Sequence, residues 1–142
     1  MENVIVNLVP YLNFEGNCEE ALNFYREILG GRVVVKERYD NPVMHAPSDY
    51  KDKVLHGSLH FGNHTILASD IFPGGEARSG SGDASLSITV NDPEKGKEIF
   101  DRLADGGKIK INYEKQFWGA WHGGLRDRYG VSWMINCEED AI

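Results

Sequence analysis

Cysteine is scarce in this chain of 142 residues. Cys18 and Cys137 are the only two, and they form neither a CxxC pair nor a disulfide framework. Long apolar runs are missing as well: none approaches about 18 residues, the length a membrane-spanning helix needs. No cationic-then-apolar leader is read at the start. Basic residues are in deficit, with 15 Lys and Arg against 22 Asp and Glu and a formal charge of −7. Phosphate binding needs a basic stripe, so nucleic acid is not an expected partner. GxSxG, a Walker loop, GxGxxG and a Cys/His pair in a nucleophile context are all absent. These absences predict a soluble, reduced, cytoplasmic protein with no membrane or nucleic-acid partner.

What is present is a core and a repeat. Apolar residues make up 41% of the chain, with three Trp, which is ordinary for one globular domain and too much for disorder. Residues 19–31 read EEALNFYREILGG and residues 95–107 read KGKEIFDRLADGG. Aligning the diglycines sets Phe24 on Phe100, Val33 on Ile109, Val35 on Ile111 and Leu12 on Ile88. A second match, Phe61-Gly62 with Tyr129-Gly130, comes at an offset eight residues shorter, which the loop over 41–53 of the first half absorbs. A chain made of two copies of one unit often places its ligand where the copies meet.

The pattern within each copy is β-α-β-β-β. Residues 4–12 are apolar and β-branched and predict a strand. Asn17 with Glu20 resembles a capping box, and Ala21, Phe24, Tyr25, Ile28 and Leu29 recur at helical spacing. Gly30-Gly31 stops that helix. Strands follow over 31–38, 54–61 and 64–69, the last two joined by Gly62-Asn63. Residues 72–83 (FPGGEARSGSGD) read as a linker. The second copy has strands over 84–90, 108–113, 120–126 and 132–137, and a helix capped by Asp92-Pro93. The expected architecture is α+β: one domain of two βαβββ modules, 1–71 and 84–138, with a curved mixed sheet around a cavity and the helices outside.

Period two sorts the strand faces. Leu55, Leu59 and Phe61 fall on one face, and His56, Ser58 and His60 on the other. Leu86, Ile88 and Val90 oppose Ser85, Ser87 and Thr89. Asn7, Val9, Tyr11 and Asn13 oppose Val6, Leu8 and Leu12. Faces apolar toward helices and mildly polar on the other side suit a pocket; half-exposed antiparallel sheets give the same pattern when the polar face meets water.

The segments PYLNFEGNCEEALNFY, HGSLHFGNHTILASD and FWGAWHGGLRDRYGVSWMINC, with the diglycine helix ends, resemble the vicinal-oxygen-chelate superfamily over nearly the whole chain. That superfamily includes glyoxalase I, extradiol dioxygenases and bleomycin-resistance proteins, and the resemblance is nearer to its PhnB-like group. The resemblance implies the two-module fold and, in the superfamily's enzymes, a divalent metal held by one His, Glu or Gln on each of the first, fourth, fifth and eighth strands. The repeat maps those positions to Val9, Ile66, Ser85 and Met134. Valine and isoleucine have no lone pair to give, and serine and a thioether are weak donors to such metals. No metal site and no cofactor are therefore expected. A one-residue shift to Leu8, Leu67, Leu86 or Ile135 restores no donor. PhnB-like proteins sometimes carry a methyltransferase label; nothing in this chain resembles a Rossmann-type methyl-donor site.

His56 and His60 share a face but lie about 13 Å apart along the strand, too far for one ion. His56 is the better pocket residue. Asp70, at the end of the fourth strand, suits either a ligand contact or a turn cap, while Asp127 in DRYGV reads as a turn-former. Arg126 suits an anionic ligand or a surface ion pair. Phe117, Trp118 and Trp121 suit a pocket wall, a core or a dimer contact. Asn7, Tyr11, Ser87 and Thr89 can supply directed hydrogen bonds. The leading expectation is a small-molecule-binding homodimer without the usual metal. The alternatives are a metal-dependent glyoxalase- or dioxygenase-like enzyme with atypical ligands, or a metal-free acid–base enzyme using His56 or Asp70.

Overall fold

A computed structural model describes residues 4–75 and 79–138. The elements run β1 (Tyr11–Phe14), α1 (Cys18–Leu29), β2 (Arg32–Arg38), β3 (Val54–Phe61), β4 (His64–Asp70), β5 (Ser85–Val90), α2 (Pro93–Ala104), β6 (Lys108–Lys115), β7 (Trp121–Arg126) and β8 (Ser132–Cys137). They build two four-stranded sheets in the orders β1-β4-β3-β2 and β5-β8-β7-β6. In each, the outer pair is parallel (β1 with β4, β5 with β8) and the others are antiparallel. One order is the other repeated, as the sequence repeat predicts. The linker expected over residues 72–83 falls partly outside the described residues.

The diglycines have a shared structural cause. A Cβ on Gly31 would lie 1.9 Å from the His60 carbonyl oxygen, and one on Gly107 would lie 2.3 Å from that of Arg126. Each helix exit thus presses its second glycine onto the backbone of the third strand of its own unit. Gly80 is constrained in a similar way. Its φ is +96°, and a Cβ there would meet the Gly130 carbonyl oxygen at 2.2 Å, while its N–H donates to Asn13 O at 2.7 Å.

The first strand is shorter than the residue pattern predicts. β1 begins at Tyr11, which pairs with Leu67. That register sets Leu8 level with His64, the first residue of β4, so residues 4–7 run past the end of their neighbour. Val4, Ile5, Val6 and Leu8 are 70–95% exposed. Apolar β-branched character forecast a strand, but a strand needs a partner edge. The capping box also fails to form: Asn17 makes no side-chain cap. Instead Asp70 Oδ1 accepts from Gly16 N and Cys18 N, both at 2.9 Å, and Glu20 accepts from Tyr129 Oη. Asp92 does cap α2, accepting from Glu94 N and Lys95 N behind Pro93.

One core joins the two units. Phe14, Leu22, Tyr25 and Leu59 of the first half cluster with Phe100, Leu103, Trp133 and Ile135 of the second. Burial of each large side chain is worth about 1.5–3 kcal/mol. At the seam, buried Asp127 accepts from Tyr25 Oη at 2.6 Å and Trp133 Nε1 at 2.8 Å through Oδ2. Its Oδ1 accepts from Tyr129 N and Val131 N. Burial, with the Asp127 carboxylate next to it, pushes the Tyr25 hydroxyl pKa well above its ordinary value, so Tyr25 stays a donor.

Candidate functional site

β1 and β5 are the edges of their sheets that lie nearest the seam, and neither pairs with the other. Between them runs a groove of about 400 Å³, within the range of small-molecule sites. Leu8, Val9 and Pro10 form one wall, and residues 85–89 of β5 form the other. The β3–β4 hairpin contributes Phe61 and residues 63–66, and Trp133 completes the lining. Ser87 and Thr89, read from the sequence as hydrogen-bonding candidates, do line this groove.

Val9, Ile66 and Ser85 also line it, while Met134 does not. The pairing explains the exception. Tyr11 sits opposite Leu67, and its repeat equivalent Ser87 sits opposite Met134. The strand equivalent of Met134 is therefore Leu67, one place from the Ile66 that the glycine turns suggested. By the ladders Ser132 is the equivalent of Thr65, which lies three residues after Gly62 where Ser132 lies two after Gly130, so the glycine turns are one residue out of register with the strands. Ile66 itself is 4% exposed and belongs to the core. The corrected set of Val9, Leu67, Ser85 and Met134 contains no imidazole and no carboxylate. Among the described residues no three His, Cys, Asp or Glu side chains gather in a way that could hold a metal. These residues do not fit the divalent ion of the superfamily's enzymes.

Each sheet turns one face to a helix and leaves the other open. On the first, Tyr11 Oη lies 3.4 Å from His56 Nδ1. His60 is held at both ring nitrogens, by Ser58 Oγ at 2.8 Å and Thr65 Oγ1 at 3.3 Å. His56, Ser58 and His60 thus share a face as period two predicts. On the second sheet His122 Nδ1 lies 2.7 Å from Asn136 Oδ1, and Asn136 Nδ2 donates to Ser87 Oγ at 2.8 Å and Ile88 O at 3.2 Å. Sequence reading missed His122 and Asn136 as candidates. The signal was available: His56-Gly57 and His122-Gly123 are the same dipeptide in the two units. Gly57 and Gly123 pair with Ala68 and Ile135, which are themselves equivalent. Both glycines make room for the helix, since a Cβ would meet Leu22 Cδ1 at 3.2 Å in one case and Phe100 Cε2 at 2.8 Å in the other.

Other candidates stand elsewhere. Asn7 is exposed ahead of β1. Asp70 is 1% exposed and spends its carboxylate on three backbone N–H groups, those of Gly16, Cys18 and Val54, as a structural cap. Phe117 and Trp118 are 97% and 58% exposed at the β6–β7 turn, edge to face at 4.9 Å, and do not line the groove. Trp121 pairs with Cys137 on the helix-facing side and stacks on Tyr113 at 5.6 Å. As the first residue of β7, Trp121 falls by alternation on the core face, so the aromatic run divides between core and solvent. Arg126 donates to Gly82 O at 3.1 Å. Asp127, read as a turn-former, does organise that turn.

A family model described as 3-demethylubiquinone-9 3-methyltransferase matches residues 6–136. Protein YjdN of Escherichia coli is 33% identical over 139 residues, covering 91% of this chain and 93% of that one. The crystal structure of protein PA1353 from Pseudomonas aeruginosa is 37% identical with a TM-score of 0.82, covering 94% and 98% of the two chains. A PhnB protein from Bacillus cereus, named as a putative 3-demethylubiquinone-9 3-methyltransferase, is 26% identical at a TM-score of 0.78, covering 92% and 98%. A glyoxalase/bleomycin resistance protein/dioxygenase family enzyme from Burkholderia phytofirmans shares the fold at a TM-score of 0.59 and 14% identity, covering 89% and 95%. With repeat, strand order and these likenesses in agreement, the chain belongs to the PhnB-like family, on the glyoxalase/bleomycin-resistance fold.

Proposed function

We propose that this protein binds a small molecule without a divalent metal, in the groove where its two units meet. The observation that carries the reading is the chemistry of that groove. It has the volume of a ligand site and polar groups on one wall at Ser85, Ser87 and Thr89. The positions at which the fold's enzymes hold a metal carry Val9, Leu67, Ser85 and Met134 instead. A cleft that is mostly apolar with a few directed hydroxyls favours binding over Lewis-acid chemistry. The chain is further proposed to act as a homodimer, because Val4, Val6 and Leu8 present exposed apolar side chains along one short segment.

Methyl transfer, the activity in the family model's description, is not carried over to this chain. The N-terminus of α1 is filled by Asp70 and that of α2 by Asp92. Neither helix start is free to take the anionic groups that such termini bind. Two mixed four-stranded sheets also supply no parallel doubly wound edge for a nucleoside.

Mass spectrometry of protein purified without chelators under native conditions, paired with elemental analysis, tests the reading. The expected result is a stoichiometric organic ligand, or micromolar uptake of one from a metabolite extract, with no stoichiometric transition metal. Stoichiometric Zn, Ni, Mn or Fe that is lost in His56→Ala would overturn it in favour of a metal enzyme with atypical ligands. His56, exposed beside Tyr11, keeps a metal-free acid–base reading open to the same preparation: turnover of the co-purifying ligand that His56→Gln abolishes would establish it.

A further inference from the structure

His122 stands on the open face of β7, and its protonation pattern follows from its neighbours. The Ile88 carbonyl can only accept a hydrogen bond, so the Asn136 atom 3.2 Å from it is the amide nitrogen. That nitrogen also reaches Ser87 Oγ at 2.8 Å. The amide oxygen of Asn136 must then face His122 Nδ1, at 2.7 Å. An amide oxygen only accepts, so Nδ1 carries the hydrogen. Neutral imidazole has one N–H, which leaves the lone pair on Nε2. Among the described residues none donates to it.

The neighbouring row of the same face is apolar. Gly124 pairs with Met134 on one side and Ile111 on the other, and Ile111 Cδ1 lies 3.7 Å from where a Gly124 Cβ would stand. A directed acceptor next to a thioether and an aliphatic side chain is a matched pair of features. Thioether sulfur makes favourable contacts with aromatic rings, and a neutral imidazole lone pair accepts from a hydroxyl O–H.

We propose that His122 Nε2, with Met134 and Ile111, forms a recognition site for a neutral aromatic alcohol of the phenol class, and that Asn136 is its positioning residue. The proposal rests on the small-molecule-binding reading and adds a ligand class and a second contact point on the open face of the β5–β8 sheet. No bond is made or broken there.

Long-range ¹H–¹⁵N spectra of the histidine rings, recorded on the whole protein during titration with phenol and with anisole, test it. The free protein is expected to show His122 with hydrogen on Nδ1. Phenol should move the Nε2 resonance, and anisole, which has the same ring without a donor, should not. His122→Gln should weaken phenol binding by about tenfold, the effect of losing one well-placed hydrogen bond. Asn136→Ala should erase the Nδ1–H preference, a change that a merely structural Asn would not produce. Hydrogen on Nε2 in the free protein, equal responses to phenol and anisole, or no phenol response at His122 would each overturn the assignment. If phenol instead moves the amides of Val9 and Ser85, or a co-purifying ligand still binds in His122→Gln, this site fails while the groove stands. Absence of any ligand in either place removes both.

Discussion

Asp127 shows what one buried carboxylate does in this chain. Four donors converge on it: two backbone N–H groups of its own turn, the indole of Trp133, and the hydroxyl of Tyr25 on α1. The turn half of this role was legible in DRYGV, where a carboxylate two and four residues before N–H groups commonly closes the loop. The other half was not. Tyr25 precedes Asp127 by 102 residues, and helical spacing marks it only as apolar stripe. Asp127→Asn keeps the shape but removes the charge and turns one acceptor into a donor facing donors. A loss of about 3 kcal/mol in urea unfolding is expected. A change below about 1 kcal/mol would show that the carboxylate does not hold the halves together. His122 and Asn136 went unread for a similar reason: alternation places them on a polar face, and only strand register brings them to 2.7 Å.

Strands and helices were read well wherever their own residues decide them. Helix ends at the diglycines and the spans of β3 and β8 follow from glycine conformation and from alternation. Elements that depend on a distant neighbour were not. Residues 4–7 extend no strand because β4 begins at His64, level with Leu8, and Asp70 displaces Asn17 as the cap of α1 because the fourth strand finishes beside it. The diglycine device makes its own prediction. Gly107 has ordinary backbone angles, yet its Cβ would press within 2.3 Å of Arg126 O, so Gly107→Ala should cost about 2–3 kcal/mol by overpacking. Gly124→Ala, whose Cβ meets nothing nearer than 3.7 Å, should stay within about 0.5 kcal/mol. Thermal melts of the two variants check the contrast, and equal losses would contradict the account of why the second glycine recurs.

For the molecule as a whole, the segment ahead of β1 is the unsettled surface. Exposed apolar residues beside a sheet edge offer a surface for pairing, and a second copy is the occupant the proposal assigns. Light scattering at micromolar concentration is expected to give twice the chain mass, and the double variant Val6→Asp, Leu8→Asp should shift it to the monomer without changing the far-ultraviolet spectrum. A monomeric native protein would refute the homodimer.

The stitch at Gly80 has a last consequence. The connector that leaves the first half is fastened to Asn13 on one side and, through Ser81, to Gly130 and Ser132 on the other. These bonds tie residues 80 and 81 to both units and oppose a jaw-like swing of the halves at that point. Under the proposed binding reading, size discrimination falls to the rotamers of the side chains that line the groove.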